Sequence, residues 1–429
     1  MEAVNRQGVL TGEEVSVTFR DPLFLTARLQ HNPIATCLAT HVYYGVGMRL
    51  FSSLDLFYGR ILKAVAMALL IPLIFLYARF RIHLSVPASV FSAVLAGLLP
   101  GVISFSWLAT EFGLDLVAGF AGLLMLISPK PAFRLVGGAA IGLSMHFYGA
   151  GIVFLPLLFL EQILFVRGQR SEKAQRTTVL SLLLTLLVSL FPLLWWKNET
   201  ALVAGGARPA LDAAGANIRS LFRELMFRGN SYYYFSADPA LSSSMMGILA
   251  LVGAILSFSK VSQRWPLYLG SLTAVAVYAF SGGVIGVRRA VILVVFSALF
   301  AGCAVDELIR LPWGRGRRFG LAVAAALMAC ALALPVIQYG RLRQAYAQGR
   351  IRLPRDFQYA TFEKMSMEQS FQLLVRRPEL YQQVKPFCEH DRVFAVLYWL
   401  ASRNNEPSTV FYSRGRFWEG FQGKYGSPR

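Results

Sequence analysis

The sequence predicts a polytopic α-helical membrane protein, and three observations carry that prediction. Hydrophobic residues make up 55% of the 429-residue chain while charged residues make up only 15%, a balance foreign to a water-soluble domain. Apolar runs of about 17–25 residues recur, the length a helix needs to cross roughly 30 Å of hydrocarbon. The runs are continuous rather than alternating, which selects helices over a closed barrel as the means of satisfying backbone groups in lipid. The formal net charge is +19. The basic excess lies in loops and toward the C-terminus, where membrane topology and anionic headgroups account for it better than nucleic acid does.

Ten apolar segments follow in order: 62–79, 86–108, 112–129, 135–147, 150–166, 177–196, 243–259, 266–284, 290–306 and 319–338. Basic residues punctuate them at Arg79–Arg81, at Lys130 and Arg134, at 167–176, at Lys260 and Arg264, and at 310–318. The positive-inside rule places all five clusters on the cytoplasmic side. They agree only if 135–166 is a hairpin of two short helices with its tip near 144–152, where Gly149 and Gly151 permit a break. The turn 108–114, the loop 197–241, the turn 281–289 and the tail from 339 then face outward, as do both termini. No apolar signal-peptide core occupies the first 60 residues. An outward N-terminal stretch of that length is hard to translocate, so a further helix before residue 1, or another start, is expected. The predicted domains are a first outer loop with amphipathic helices (1–61), a transmembrane domain (62–338) and a small extracytoplasmic α/β domain (339–429). In the last, RVFAVLYWL and STVFYSRGRFW alternate like strands, and QSFQLLVRRPELYQQV reads as a helix.

Charges in apolar surroundings are the candidates for chemistry. A carboxylate at mid-bilayer costs roughly 2.5–3.5 kcal/mol on insertion scales, yet WLATEFGLDLVAGFAG carries Glu111 and Asp115 at i, i+4 on one helical face. Two solvated residues at a membrane edge are the plain alternative. The N-terminal TGEEVSVTFRDP adds Glu13, Glu14 and Asp21, and His31 follows in HNPI. His146 stands at the hairpin tip, where a lone histidine is ordinarily a satisfied core group, and Arg288 and Arg289 begin the 290–306 segment. Paired arginines clamp phosphate well. Carboxylates, histidine and arginines on one face, beside lipid, suit acid/base chemistry on a phosphate-bearing substrate. The loop 197–241 contains NIRSLFRELMFRGN, which supplies Arg219, Arg223 and Arg228 with Leu221, Phe222 and Leu225, an interfacial amphipathic pattern. The four cysteines, Cys37, Cys303, Cys330 and Cys388, form no metal-ligand spacing.

Four stretches together resemble the GT-C class of polyprenyl-phosphate-sugar glycosyltransferases, the group that includes the protein O-mannosyltransferases and the aminoarabinose lipid A transferases. GEEVSVTFRDPLFLTARLQHNPIATCLATHVYYGVGMRLF resembles the first outer loop, SFSWLATEFGLDLVAGF the second acidic motif, LVGGAAIGLSMHFYGAGIVFLPLLF the glycine-rich helix pair, and GVRRAVILVVFSALFAG the late basic segment. The resemblance spans about residues 10–310. It implies a GT-C-like fold and transfer of a sugar to a lipid, glycan or protein acceptor at the extracytoplasmic face of a membrane, here a bacterial inner membrane. It implies Glu14 or Glu13 as base, with Glu14 favoured. Glu111 and Asp115 would orient the acceptor or a divalent metal, and Arg288 and Arg289 would stabilise the lipid-phosphate leaving group, with His31 and His146 binding substrate. Inversion follows by analogy with the class. The competing readings are a transporter or lipid flippase, which calls for midplane carboxylates and repeated halves, and a polysaccharide polymerase or ligase.

Overall fold

The computed structural model describes residues 16–18, 39, 43, 56–106, 113–169, 171–196, 211–226, 244–280, 291–311, 315–347 and 409–411. Twelve α-helices occur among them: α1 Leu56–Phe80, α2 Val86–Leu98, α3 Pro100–Ser106, α4 Leu114–Ile127, α5 Pro131–Phe147, α6 Phe154–Gln169, α7 Glu172–Trp196, α8 Leu211–Met226, α9 Ser244–Ser257, α10 Val261–Phe280, α11 Val291–Ile309 and α12 Arg315–Ala347. By length and composition four stretches can cross a membrane: 61–80, 150–169, 291–309 and 318–338. The apolar helices Val86–Leu98, Leu114–Ile127 and Met245–Lys260 are shorter. The chain is a polytopic helical membrane protein.

The apolar segment at 86–108 is two helices rather than one. Pro100 lacks the N–H that would continue α2, so Leu99 turns extended and Pro100 opens α3. In the 135–166 hairpin α5 stops at Phe147, Tyr148 is extended, and a short 3₁₀ turn over Gly149–Val153 leads into α6. The last helix continues beyond residue 338 to Ala347. Two short strands, β1 Ser16–Thr18 and β2 Thr409–Phe411, pair antiparallel with Val17 opposite Val410. β2 falls in STVFYS, which alternates as a strand should. β1 falls in VSVTF, which alternates too, but its partner lies at the far end of the chain.

α11 is the centre of the bundle: from Val291 to Asp306 every residue but Ser297 is buried. It packs against α2, α9, α10 and α12, while α4, α5 and α7 form a second layer that α1 joins to the first. Phe120 of α4 ties the layers together. Its ring meets Tyr77 of α1 at 5.4 Å, Phe154 at the start of α6 at 5.5 Å and Phe296 of α11 at 6.2 Å, spacings that favour edge contacts between rings. Leucines and isoleucines that would be anomalous in water point outward, including Leu183 and Leu187 of α7 and Ile248 and Leu251 of α9. They are the lipid-facing surface.

The glycine-rich stretch of α5 is a packing device. A Cβ on Gly138 would lie 2.6 Å from the Ser181 backbone oxygen of α7, and one on Gly142 would lie 2.8 Å from that of Thr185. The two helices therefore approach at backbone distance, as small residues spaced by four allow in membranes. Thr185 Oγ1 uses the closeness to donate to the Gly138 carbonyl at 2.9 Å, and Ser181 Oγ donates to the Arg134 carbonyl at 2.9 Å.

All five basic turns gather at one end of the bundle, as the topology argument requires, but many of their charges are not lipid anchors. Arg81 is paired with Glu161 and donates to the Gln263 carbonyl at 3.2 Å. Arg134 donates to Gln162 Oε1 at 2.7 Å and stacks 3.7 Å over the Phe165 ring. Arg264 donates to Ser257 Oγ at 2.9 Å and Glu307 Oε1 at 2.8 Å, and lies 3.5 Å from Asp306 Oδ2. Asp306 also accepts from the Ser85 N–H at 2.8 Å and from Arg310 Nε at 2.9 Å, while Lys260 pairs with Glu307 at 2.7 Å. Arg81, Arg134 and Arg264 are buried, so these cations stitch helix ends together.

Candidate functional site

The opposite end holds the predicted site residues that the structure describes. α4 begins there, and its start is set by Gly113, which adopts φ 87°. Glycine is the residue that enters this left-handed region without strain. The turn lets the Gly113 N–H donate to Asp115 Oδ1 at 2.9 Å. Asp115 thus occupies the first turn of α4, where unpaired N–H groups and the helix dipole favour a negative charge. It is 3% exposed.

Lys63 faces this turn from α1 and is fully buried. Its Nζ would lie 3.9 Å from a Cβ placed on Gly113, and its charge attracts the Asp115 carboxylate. Sequence reasoning passed over Lys63 as part of an apolar run. The signal was there: a lysine seven positions inside the first long helix is costly unless paired. The neighbouring wall comes from Tyr43, whose hydroxyl donates to the Leu62 carbonyl at 2.7 Å and whose ring centroid stands 6.4 Å from that of Phe147 at the end of α5.

His146 reaches the same end because α4 and α5 are an antiparallel pair. It is buried, and its Nε2 donates to the Val188 carbonyl of α7 at 2.5 Å. That bond ties α5 to α7, so the ring has a structural engagement whatever else it does. Glu13, Glu14, Glu111, His31, Arg288 and Arg289 lie outside the described residues. Of the predicted site residues the structure therefore describes Asp115 and His146, brings them to one end, and adds Lys63. Among the described residues there is no group of three or more histidine, cysteine or acidic side chains able to hold a metal ion. Cys303 is buried and Cys330 exposed, both as free thiols; Cys37 and Cys388 lie outside the described residues. A buried carboxylate fixed by a backbone N–H, with an ammonium beside it, can orient a hydroxyl and attract an anionic group.

No protein-family model matches the sequence, and no curated protein matches it significantly. Solved structures do resemble it. Crystal structures of ArnT from Cupriavidus metallidurans, bound to undecaprenyl phosphate and in the apo state, each align with 93% of this chain at 16% identity and a TM-score of 0.41. The alignments cover 71% and 70% of those chains.

Proposed function

We propose that this protein is a membrane glycosyltransferase that moves a sugar from a polyprenyl-phosphate donor to an acceptor hydroxyl at the extracytoplasmic face of a bacterial inner membrane. The observation that carries the reading is the buried Lys63–Asp115 arrangement, at the bundle end opposite the basic turns. It sets a buried cation near a buried carboxylate, the two kinds of charge that the chemistry calls for, and the order of motifs around it supports the class.

In this reading the acceptor hydroxyl, oriented by Asp115 and Glu111, loses its proton to Glu14 or Glu13 as its oxygen attacks the anomeric carbon. The carbon–oxygen bond to phosphate breaks, and the electron pair leaves with the lipid phosphate. Arg288, Arg289 and Lys63 offset that charge. The phosphate is already a good leaving group, so positioning and charge neutralisation suffice. The single displacement inverts the anomeric centre.

The test is transfer of labelled sugar from a polyprenyl-phosphate donor by purified protein in lipid nanodiscs, with membrane extract as acceptor. Wild type is run beside Asp115→Asn and Glu14→Gln. Asn retains an oxygen to accept the Gly113 N–H, so Asp115→Asn should keep the fold and lose at least ~100-fold in rate. Full transfer by both variants would refute the mechanism.

A further inference from the structure

The helix α8 offers a surface that the transferase reading does not use. Its sequence, LDAAGANIRSLFRELM, places three rows along the helix at i, i+4 spacing. Leu221 is buried and Leu225 half-buried, so this row faces the bundle. Asn217 beside it donates through Nδ2 to the Ala279 carbonyl at 2.9 Å, in the last turn of α10. Met226 packs over Gly247 of α9, where a Cβ would meet its Sδ at 1.9 Å. These contacts hold α8 at the bundle end that carries Asp115, because the other end of α10 carries Arg264. The second row points away from the protein: Ile218 is 38% exposed and Phe222 is 61% exposed. The third row, Arg219 and Arg223, borders the second and is exposed too.

The sequence pattern assigned Leu221 and Leu225 to the membrane together with Phe222. The structure spends those leucines on the protein, and the outward apolar row is Ile218 and Phe222. A helix of 16 residues rises roughly 24 Å, too short to span the hydrocarbon, and its two arginines forbid burial there. The helix also carries two acids, Asp212 and Glu224, so its attraction to anions is local to the arginine edge rather than a net charge.

We infer that α8 lies in the headgroup layer of the leaflet at the Lys63–Asp115 end, with Ile218 and Phe222 inserted among the lipid chains and Arg219 and Arg223 against phospholipid phosphates. Charge complementarity selects this occupant: an apolar row edged by arginines matches the order of acyl chain and phosphate across a leaflet surface. The neighbouring outward face of α9, with Ile248 and Leu251 exposed, continues the same apolar surface into the bilayer. This inference stands without the transferase reading.

The test uses the full chain in nanodiscs made from phosphatidylcholine and phosphatidylglycerol, doped with a phospholipid bearing a photoactivatable diazirine near its glycerol. After illumination, adducts are mapped by mass spectrometry. Adducts on Ile218 and Phe222, together with adducts on Ile248 and Leu251, are the expected result. Labelling of the α9 pair with none on the α8 pair would overturn the inference and leave that face to a protein partner. Absence of both would overturn the membrane setting on which it depends. The double variant Arg219→Glu, Arg223→Glu should reduce α8 adducts roughly fivefold or more while α9 labelling, which reports an intact fold, stays as in wild type. Unchanged α8 labelling in that variant would refute the role of the arginines.

Discussion

Replacing Arg264 by methionine removes the cation at the centre of the basic-end network while preserving most of the side-chain volume. Arg264 is 1% exposed and contacts Ser257, Asp306 and Glu307. Breaking a buried ion pair from one side costs about 3–5 kcal/mol, chiefly because the remaining charge is stranded. Here the stranding is incomplete. Asp306 keeps the Ser85 N–H at 2.8 Å and Arg310 Nε at 2.9 Å, and Glu307 keeps Lys260 at 2.7 Å. The expected loss is therefore at the low end, about 3 kcal/mol, or about 3 °C in apparent melting temperature for a chain of this length. Asp306→Asn alone should also destabilise, since it leaves Arg264 short of a carboxylate. The double variant should recover much of the loss, with a coupling of about 2 kcal/mol, because Arg310 is half-exposed and returns to water. Cys303 supplies the assay once Cys37, Cys330 and Cys388 are replaced by serine, because Cys330 is an exposed free thiol that would react before unfolding. The Cys303 thiol is buried on α11, so its reaction with a thiol-reactive dye during heating reports the opening of the centre of the bundle. A single variant within about 1 kcal/mol of wild type, or strict additivity in the double variant, would refute the reasoning.

Three further outcomes follow from the same contacts. Gly138→Ala drives a Cβ against the Ser181 backbone oxygen at 2.6 Å, so it should cost about 1–3 kcal/mol through overpacking, read by thermal unfolding in detergent. Gly113→Ala forces an L-residue into φ 87° and against the Met67 sulfur at 2.8 Å; it should cost about 1–3 kcal/mol and lower sugar transfer by disturbing the Asp115 turn, which an alanine tolerated in both assays would contradict. Lys63→Met should reduce transfer at least ~10-fold and raise the donor concentration needed for half-maximal rate, and unchanged donor dependence would remove Lys63 from the site.

The candidate site was legible to different depths. Asp115 stood out because a carboxylate in an apolar run is expensive wherever it lies, and the structure places it in a buried turn. Lys63 faces the same turn from α1, yet it precedes Asp115 by about fifty positions, and nothing local ties the two together. His146 was visible as a histidine at a hairpin tip, but its bond to the Val188 carbonyl depends on how closely α5 approaches α7. The carboxylates Glu161, Asp306 and Glu307 sit near the ends of apolar helices and drew no attention, because their meaning depends on arginines from other helices.

The sequence by itself determined the helical membrane class, the order of segments, the break near Tyr148 and the side of the bundle on which the basic turns gather. All are local consequences of hydrophobic run length, of glycine and proline placement, and of where lysine and arginine lie along the chain. Only the tertiary structure decided which cations are buried partners and which row of α8 faces outward. It alone brought Lys63 to the turn that holds Asp115, and set Ser16–Thr18 against Thr409–Phe411. Each of these depends on what packs opposite a residue, and a burial partner is chosen by helix approach in three dimensions. Periodicity along one chain carries no information about it.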